Sequence, residues 1–186
     1  MNAGLAASVC LQRRSVSFVV SPKHACTMSD SLASKSKEEL FKVGERICRS
    51  QDERWIALWA YNVHRLFRSR FRERELWKRL DELVQKEWDW HLGKELFDDV
   101  RQETLVAERG GQDAAEYTFL CLGEIVAKSI SNASWRPGLF DVDAPYRVPG
   151  LAFELANALG DAKMADRLHY HFMGLFQHEQ SKRQRG

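Results

Sequence analysis

From Ser36 to Phe176 the apolar residues recur at intervals of three and four, and no stretch shows the period-two alternation of a strand. That period leaves a chain of this length one economical solution, helices packed on helices, and predicts an all-α, single-domain bundle of six or seven helices. The punctuation agrees. Ser36 and Glu39 form an S-x-x-E capping box, with Leu40, Val43, Ile47 and Cys48 following on one face, which predicts a helix over 37–49. Ser50 and Glu53 repeat the box, with Asp52 as an alternative cap, ahead of Trp55, Ile56, Trp59, Val63, Leu66 and Phe67.

The stripe then slips. Phe71 is followed by Leu76, a step of five residues that rotates the apolar face away from its helical register. Residues 69–75 contain neither Gly nor Pro. Either one long helix changes the face it buries, or a tight turn separates two helices without its usual breaker; the expectation is two helices. Leu92, Leu96, Phe97, Val100 and Leu105 mark the next helix, which Gly110-Gly111 ends. Asp113 is placed to cap its successor, which carries Tyr117, Leu120, Cys121, Ile125, Val126 and Ile130.

Residues 132–150 hold three of the chain's four prolines, together with Trp135, Phe140 and Tyr146. They predict a long Pro-rich loop, which either serves function or lays its aromatics over one end of the core. A C-terminal helical hairpin follows. Leu151–Leu159 is stopped by Gly160 and restarted by Asp161, with Met164, Leu168 and Phe172 on the second stripe. Leu159, Gly160, Asp161 and Ala165 resemble the turn and second helix of a tetratricopeptide hairpin over about 20 residues. Phe172 stands where that pattern takes a small residue, and no second copy follows at the repeat spacing, so hairpin grammar is implied and no family.

Three regions are expected: a leader over 1–34, the helical domain over 35–177, and a basic tail over 178–186. Residues 1–27 contain Arg13, Arg14 and Lys23, many Ser and Ala, and no acid. Two readings stand for them: an organelle transit peptide, or an over-long start with Met28 as the first residue. The protein is accordingly expected in the cytoplasm or an organelle interior. No apolar run approaches the ~20 residues of a membrane span. Cys10, Cys26, Cys48 and Cys121 form no CxxC pair and read as reduced thiols.

Charge is the clearest functional signal. Residues 65–79 carry Arg65, Arg68, Arg70, Arg72, Arg74, Lys78 and Arg79 against Glu73 and Glu75, whereas residues 81–108 carry nine acids and three bases. A basic block therefore precedes an acidic one. It either pairs with acids on a neighbouring helix, or offers an arginine surface to a partner. Arg65, Arg68 and Arg72 would share one helical face. With Trp135, Arg136, Phe140 and Tyr146 they are the candidate partner-binding residues, because exposed aromatics beside arginine mark contact sites.

No nucleophile elbow, Walker loop or dinucleotide fingerprint occurs, so the expectation leans away from an enzyme and assigns no cofactor and no catalytic residue. The function expected is a non-catalytic protein-interaction module (an adaptor, assembly factor or small inhibitor) with a protein partner that the arginines would match if acidic. The first alternative is nucleic-acid or phosphate binding through Arg65–Arg79, which the net charge of only +2 does not favour. The second is a metal-dependent helical-bundle enzyme using His91 with Glu95 and Asp166 with His169, spaced i,i+4 and i,i+3. It lacks the Glu-x-x-His pattern of such bundles. Oligomeric state is not encoded legibly.

Overall fold

The computed structural model describes Leu32 and residues 35–49, 51–86, 88–111, 113–135 and 145–183, the last with side chains to Leu175. Among them are seven α-helices and no strand: α1 Lys37–Arg49, α2 Glu53–Phe67, α3 Glu75–Gln85, α4 Trp90–Gly110, α5 Ala114–Trp135, α6 Val148–Ala158 and α7 Ala162–Arg183. Short 3-10 turns occupy Arg68–Arg70 and Pro145–Arg147.

The helix starts obey local chemistry. At α1 the box closes both ways: the Ser36 N–H donates to Glu39 at 2.9 Å, and the Glu39 N–H donates to Ser36 Oγ at 3.3 Å. Asp52, the alternative cap, holds α2 by accepting from the Trp55 N–H at 2.8 Å. Asp89 does the same for α4, accepting from Leu92 at 3.0 Å, and Asp161 for α7, accepting from Met164 at 3.0 Å. Gly111 and Gly160 stop α4 and α6 with φ of 62° and 63°, a conformation that costs other residues a steric penalty.

The core is organised around α5. Its buried residues include Phe119, Leu120, Leu122, Val126 and Ile130, too many for one stripe, so it is covered on several sides. It packs against α2, α4 and α6. Helices α4 and α5 run antiparallel: Arg101 reaches Glu124 at 2.6 Å, while nearer the start of α4 Gly93 abuts Ser131. Helix α6 is also buried over most of its surface, between α1, α5 and α7. With α7 it forms the expected C-terminal hairpin. Buried hydroxyls inside this core satisfy themselves, as where Ser129 Oγ donates to the Ile125 carbonyl at 2.7 Å.

The slip after Phe67 resolves into two helices. α2 ends at Phe67, the chain makes the turn Arg68–Arg70, and residues 71–74 lie between that turn and α3. Elsewhere the expected boundaries move. The loop expected over 132–150 is helical at both ends, because α5 continues to Trp135 and the turn Pro145–Arg147 leads directly into Val148. Pro149 sits in the first turn of α6, where its missing N–H costs nothing. The segment expected to be a tail is helical to Arg183.

Leu32, expected in the leader, belongs to the core. It is 1% exposed, and its N–H donates to His169 Nδ1 on α7 at 3.0 Å. The other leader residues, 1–31, 33 and 34, lie outside the described residues.

One contact sets how closely α1 approaches the 3-10 turn before α6. A Cβ placed on Gly44 would stand 2.0 Å from the Tyr146 carbonyl oxygen, a backbone atom that cannot swing aside. Gly110, exposed at the end of α4, has nothing within 4 Å of the same position. Gly44→Ala is therefore expected to destabilise the fold by about 1–3 kcal/mol in urea unfolding. Gly110→Ala should be neutral, or stabilising by about 0.5–1 kcal/mol through helix propensity. Equal effects at the two positions would contradict this packing.

Candidate interaction surface

The basic block folds back on its own acids. Arg68 reaches Asp81 on α3 at 2.5 Å and Glu73 at 2.9 Å, with only 13% of its side chain exposed. The Tyr61 hydroxyl donates to the same Asp81 oxygen at 2.7 Å. Burial and that carboxylate push the Tyr61 phenol up to about 12. Arg70 pairs with Asp161, which also caps α7. That cap hydrogen bond from the Met164 N–H, with help from Arg70, holds the Asp161 carboxyl below its ordinary value. Arg74 bridges Glu103 on α4 and Glu116 on α5. Arg79 reaches Asp99 on α4 at 2.6 Å. Three of these arginines, Arg68, Arg70 and Arg74, thus tie the α2–α3 junction to α3, α4, α5 and the start of α7, and Arg79 ties α3 to α4.

Arg65 and Arg72 stand apart. Arg65 is exposed on α2, with its guanidinium 5.5 Å from the Tyr61 ring centroid. Arg72 is exposed in the linker and has no ion-pair partner among the described residues. The structure separates the three arginines expected on one helical face. Arg65 lies on α2, Arg68 lies in the 3-10 turn and Arg72 lies beyond it, because the helix ends at Phe67.

Of the loop candidates, Arg136 and Phe140 lie outside the described residues, as does the Trp135 side chain. Tyr146 is half-buried and meets Phe41 of α1 edge-on, with ring centroids 5.4 Å apart. Its ring therefore helps seat α1 on the turn Pro145–Arg147.

The metal candidates do not come together. His91, Glu95 and Asp166 are exposed, and the His169 Nδ1 lone pair is occupied by the Leu32 N–H. Among the described residues no group of three or more His, Cys, Asp or Glu side chains could hold a metal ion. Burial pushes the Cys48 thiol up to about 12, which disfavours the thiolate that nucleophilic chemistry needs. The half-buried Cys121 is also raised by burial, against a lowering hydrogen bond from Tyr117.

The most unusual side chain belongs to no sequence motif. His64 is wholly buried, and neither ring nitrogen has a hydrogen-bond partner among the described residues. Its ring stacks on Phe119 at 4.4 Å and 9°, and Phe71 stacks on Phe119 at 4.2 Å and 7°. Two rings at that separation cannot share one face of Phe119, so they sandwich it. Trp77 closes the cluster 4.7 Å from His64, and its indole edge fills the notch left by Gly123, where a Cβ would stand 2.6 Å from it. Helical spacing was the available signal: His64 follows Ala57 and Ala60 and precedes Phe67 on one buried face.

The asymmetry between paired and exposed arginines, together with a neutral aromatic core, is the geometry any function must use. No family model, curated protein or solved structure matches the chain.

Burial, with a smaller contribution from Arg68, lowers the His64 imidazole to about 3. The unfolded chain takes up a proton below about pH 6.5 while the folded chain does not, so stability is lost as pH falls from about 6.5 towards 3. At pH 5 this one group should cost about 2 kcal/mol relative to neutral pH. His64→Leu should flatten that part of the urea-measured stability profile between pH 7 and 5. An unchanged slope would show that His64 is not neutral in the core.

Proposed function

We propose that this protein is a non-catalytic interaction domain that takes an acidic segment of a protein partner through the exposed Arg65 and Arg72. The observation that carries the reading is the division within the arginine block. Arg68, Arg70, Arg74 and Arg79 are neutralised by carboxylates of the fold, whereas Arg65 and Arg72 are exposed and bear no such pair. Arg65 is also partly pre-organised. Its guanidinium lies over a phenol ring that is itself held by the Tyr61–Asp81 hydrogen bond, so less side-chain freedom is lost when it binds. A guanidinium in that position can take a carboxylate through two parallel hydrogen bonds, which Lys cannot do.

The same division weakens the nucleic-acid alternative. Binding to phosphates gains from every neutralised charge. A block whose cations are mostly paired internally has few to offer.

The test is capture of partner from extract by the wild-type chain and by Arg65→Glu/Arg72→Glu, with bound proteins identified by mass spectrometry. Both side chains are exposed, so the double variant should melt within a few degrees of wild type. It should lose partners with acidic segments, and an acidic peptide from such a partner should compete. Retention of the same partners by the variant would sink the reading. A gel shift with RNA or DNA at about 50 mM salt, where phosphate contacts are strongest, would move the assignment to nucleic acid.

A further inference from the structure

Residues 68–85, made of the 3-10 turn, the linker and α3, lie against the end of α2 as a flap. The principal helix neighbour of α3 is α4, whereas α2, α4 and α6 all pack on α5. The flap sends two rings inward. Trp77 lies 4.7 Å from His64 and meets Phe119 edge-on at 5.3 Å. Phe71 covers the face of Phe119 opposite His64.

Apolar packing alone holds these rings on His64. Neither His64 nitrogen has a hydrogen-bond partner among the described residues, and Trp77 Nε1 has none either. The polar attachments of the flap lie at its margins: the Tyr61 hydroxyl on Asp81, Arg70 on Asp161, Arg74 on Glu103 and Glu116, and Arg79 on Asp99. Partly exposed pairs of this kind contribute little individually. Opening the flap forfeits its apolar contacts and gives three buried nitrogens access to water.

The charges around His64 oppose a proton on the closed ring. Arg68, the charged group whose field reaches it, belongs to the flap, as do its carboxylate partners Asp81 and Glu73. On α3, Lys78 pairs with Glu75. On α2, Tyr61 donates to Asp81, and Arg65 lies over the Tyr61 ring. On α5, Glu116 is taken by Arg74, and Cys121 by Tyr117. The residues that α6 buries are apolar, and its Glu154 pairs with Lys37. The turn before α6 sets Tyr146 on Phe41. Among the described residues no carboxylate accepts from either ring nitrogen.

We propose that residues 68–85 are an acid-released flap: protonation of His64 favours a minor open state in which Trp77 and Phe71 leave the ring cluster while the other helices stay packed. Open, the imidazole titrates near its ordinary value of about 6.5; closed, it stays neutral between pH 7 and 5. The open state therefore binds more protons, and its population grows as pH falls, by about 25-fold from pH 7 to pH 5. Arg72 rides on the flap and Arg65 stays on α2, so opening also separates the two exposed arginines. Acid release of a bound partner would follow; that consequence rests on the interaction reading above, whereas the opening itself does not.

Hydrogen exchange of the full chain, followed by mass spectrometry at pH 7 and pH 5 and corrected for the chemical exchange rate, tests the opening without a partner. Peptides of α3 should open at least about tenfold more often than those of α6 at both pH values, because α6 is released only by wider unfolding. The opening constant of α3 should rise about 25-fold from pH 7 to pH 5. His64→Leu, which keeps an apolar side chain in the cluster, should remove that rise. His91, His169 and His171 remain in that variant and lie on α4 and α7, so a rise that persists would belong to them and overturn the proposal. Should His64→Leu fail to fold, the wild-type chain decides alone: an α3 opening constant unchanged by pH, or equal opening of α3 and α6 at pH 5, would each overturn it.

Discussion

The turn between α2 and α3 is the constraint on which the arrangement depends. Residues 68–74 reverse the course of the chain with no glycine or proline to direct them. Side chains do the work that backbone chemistry usually does. Phe71 is drawn onto Phe119 of α5, which carries His64 of α2 on its other face. Arg68, Arg70 and Arg74 then fasten the turn to four surrounding helices. Apolar stacking fixes the depth of the linker and the arginines fix its direction.

This explains why α5 sits where it does. It must present Phe119 to the linker, Gly123 to Trp77, and Glu116 to Arg74, all within its first half. The close α4–α5 pairing then carries α4 alongside, and Arg79–Asp99 lays α3 against α4. His64 is tolerated without a hydrogen-bond partner because it is neutral and lies flat against Phe119. The cost of two unmet ring nitrogens is an acid liability built into the centre of the fold. The same network decides which cations are paired within the fold. The arginines that direct the turn are paired with carboxylates of the fold, and Arg65 and Arg72 are exposed with no such pair among the described residues.

Much of the fold was legible before any coordinates. The Ser36–Glu39 box, the Asp161 cap and the glycine stops lie within a few residues of the groups they satisfy, so local chemistry identifies them. The Phe71–Leu76 slip left one long helix or two open, and the structure shows the two that were expected. What escaped was whatever depended on distance along the chain. Leu32 looks like part of a polar leader until His169, 137 residues away, accepts its N–H. The separation of Arg65, Arg68 and Arg72 required knowing that α2 stops at Phe67, and no local breaker announces that stop. The pairing of the basic block with acids was anticipated as a class, but its partners Glu116 and Asp161 lie outside the acidic block, on helices brought in by tertiary packing.

The central claim is that the arginine block is divided between structural clamps and a free surface. Urea unfolding of four single variants tests it most directly: Arg68→Met, Arg74→Met, Arg65→Met and Arg72→Met. Each keeps an unbranched stem and removes the guanidinium. The account predicts losses of about 1–3 kcal/mol for Arg68 and Arg74, whose removal leaves partly buried carboxylates unpaired. It predicts changes within about 0.5 kcal/mol for Arg65 and Arg72, which touch no carboxylate among the described residues. Comparable losses at all four positions, or a larger loss at Arg72 than at Arg74, would contradict it.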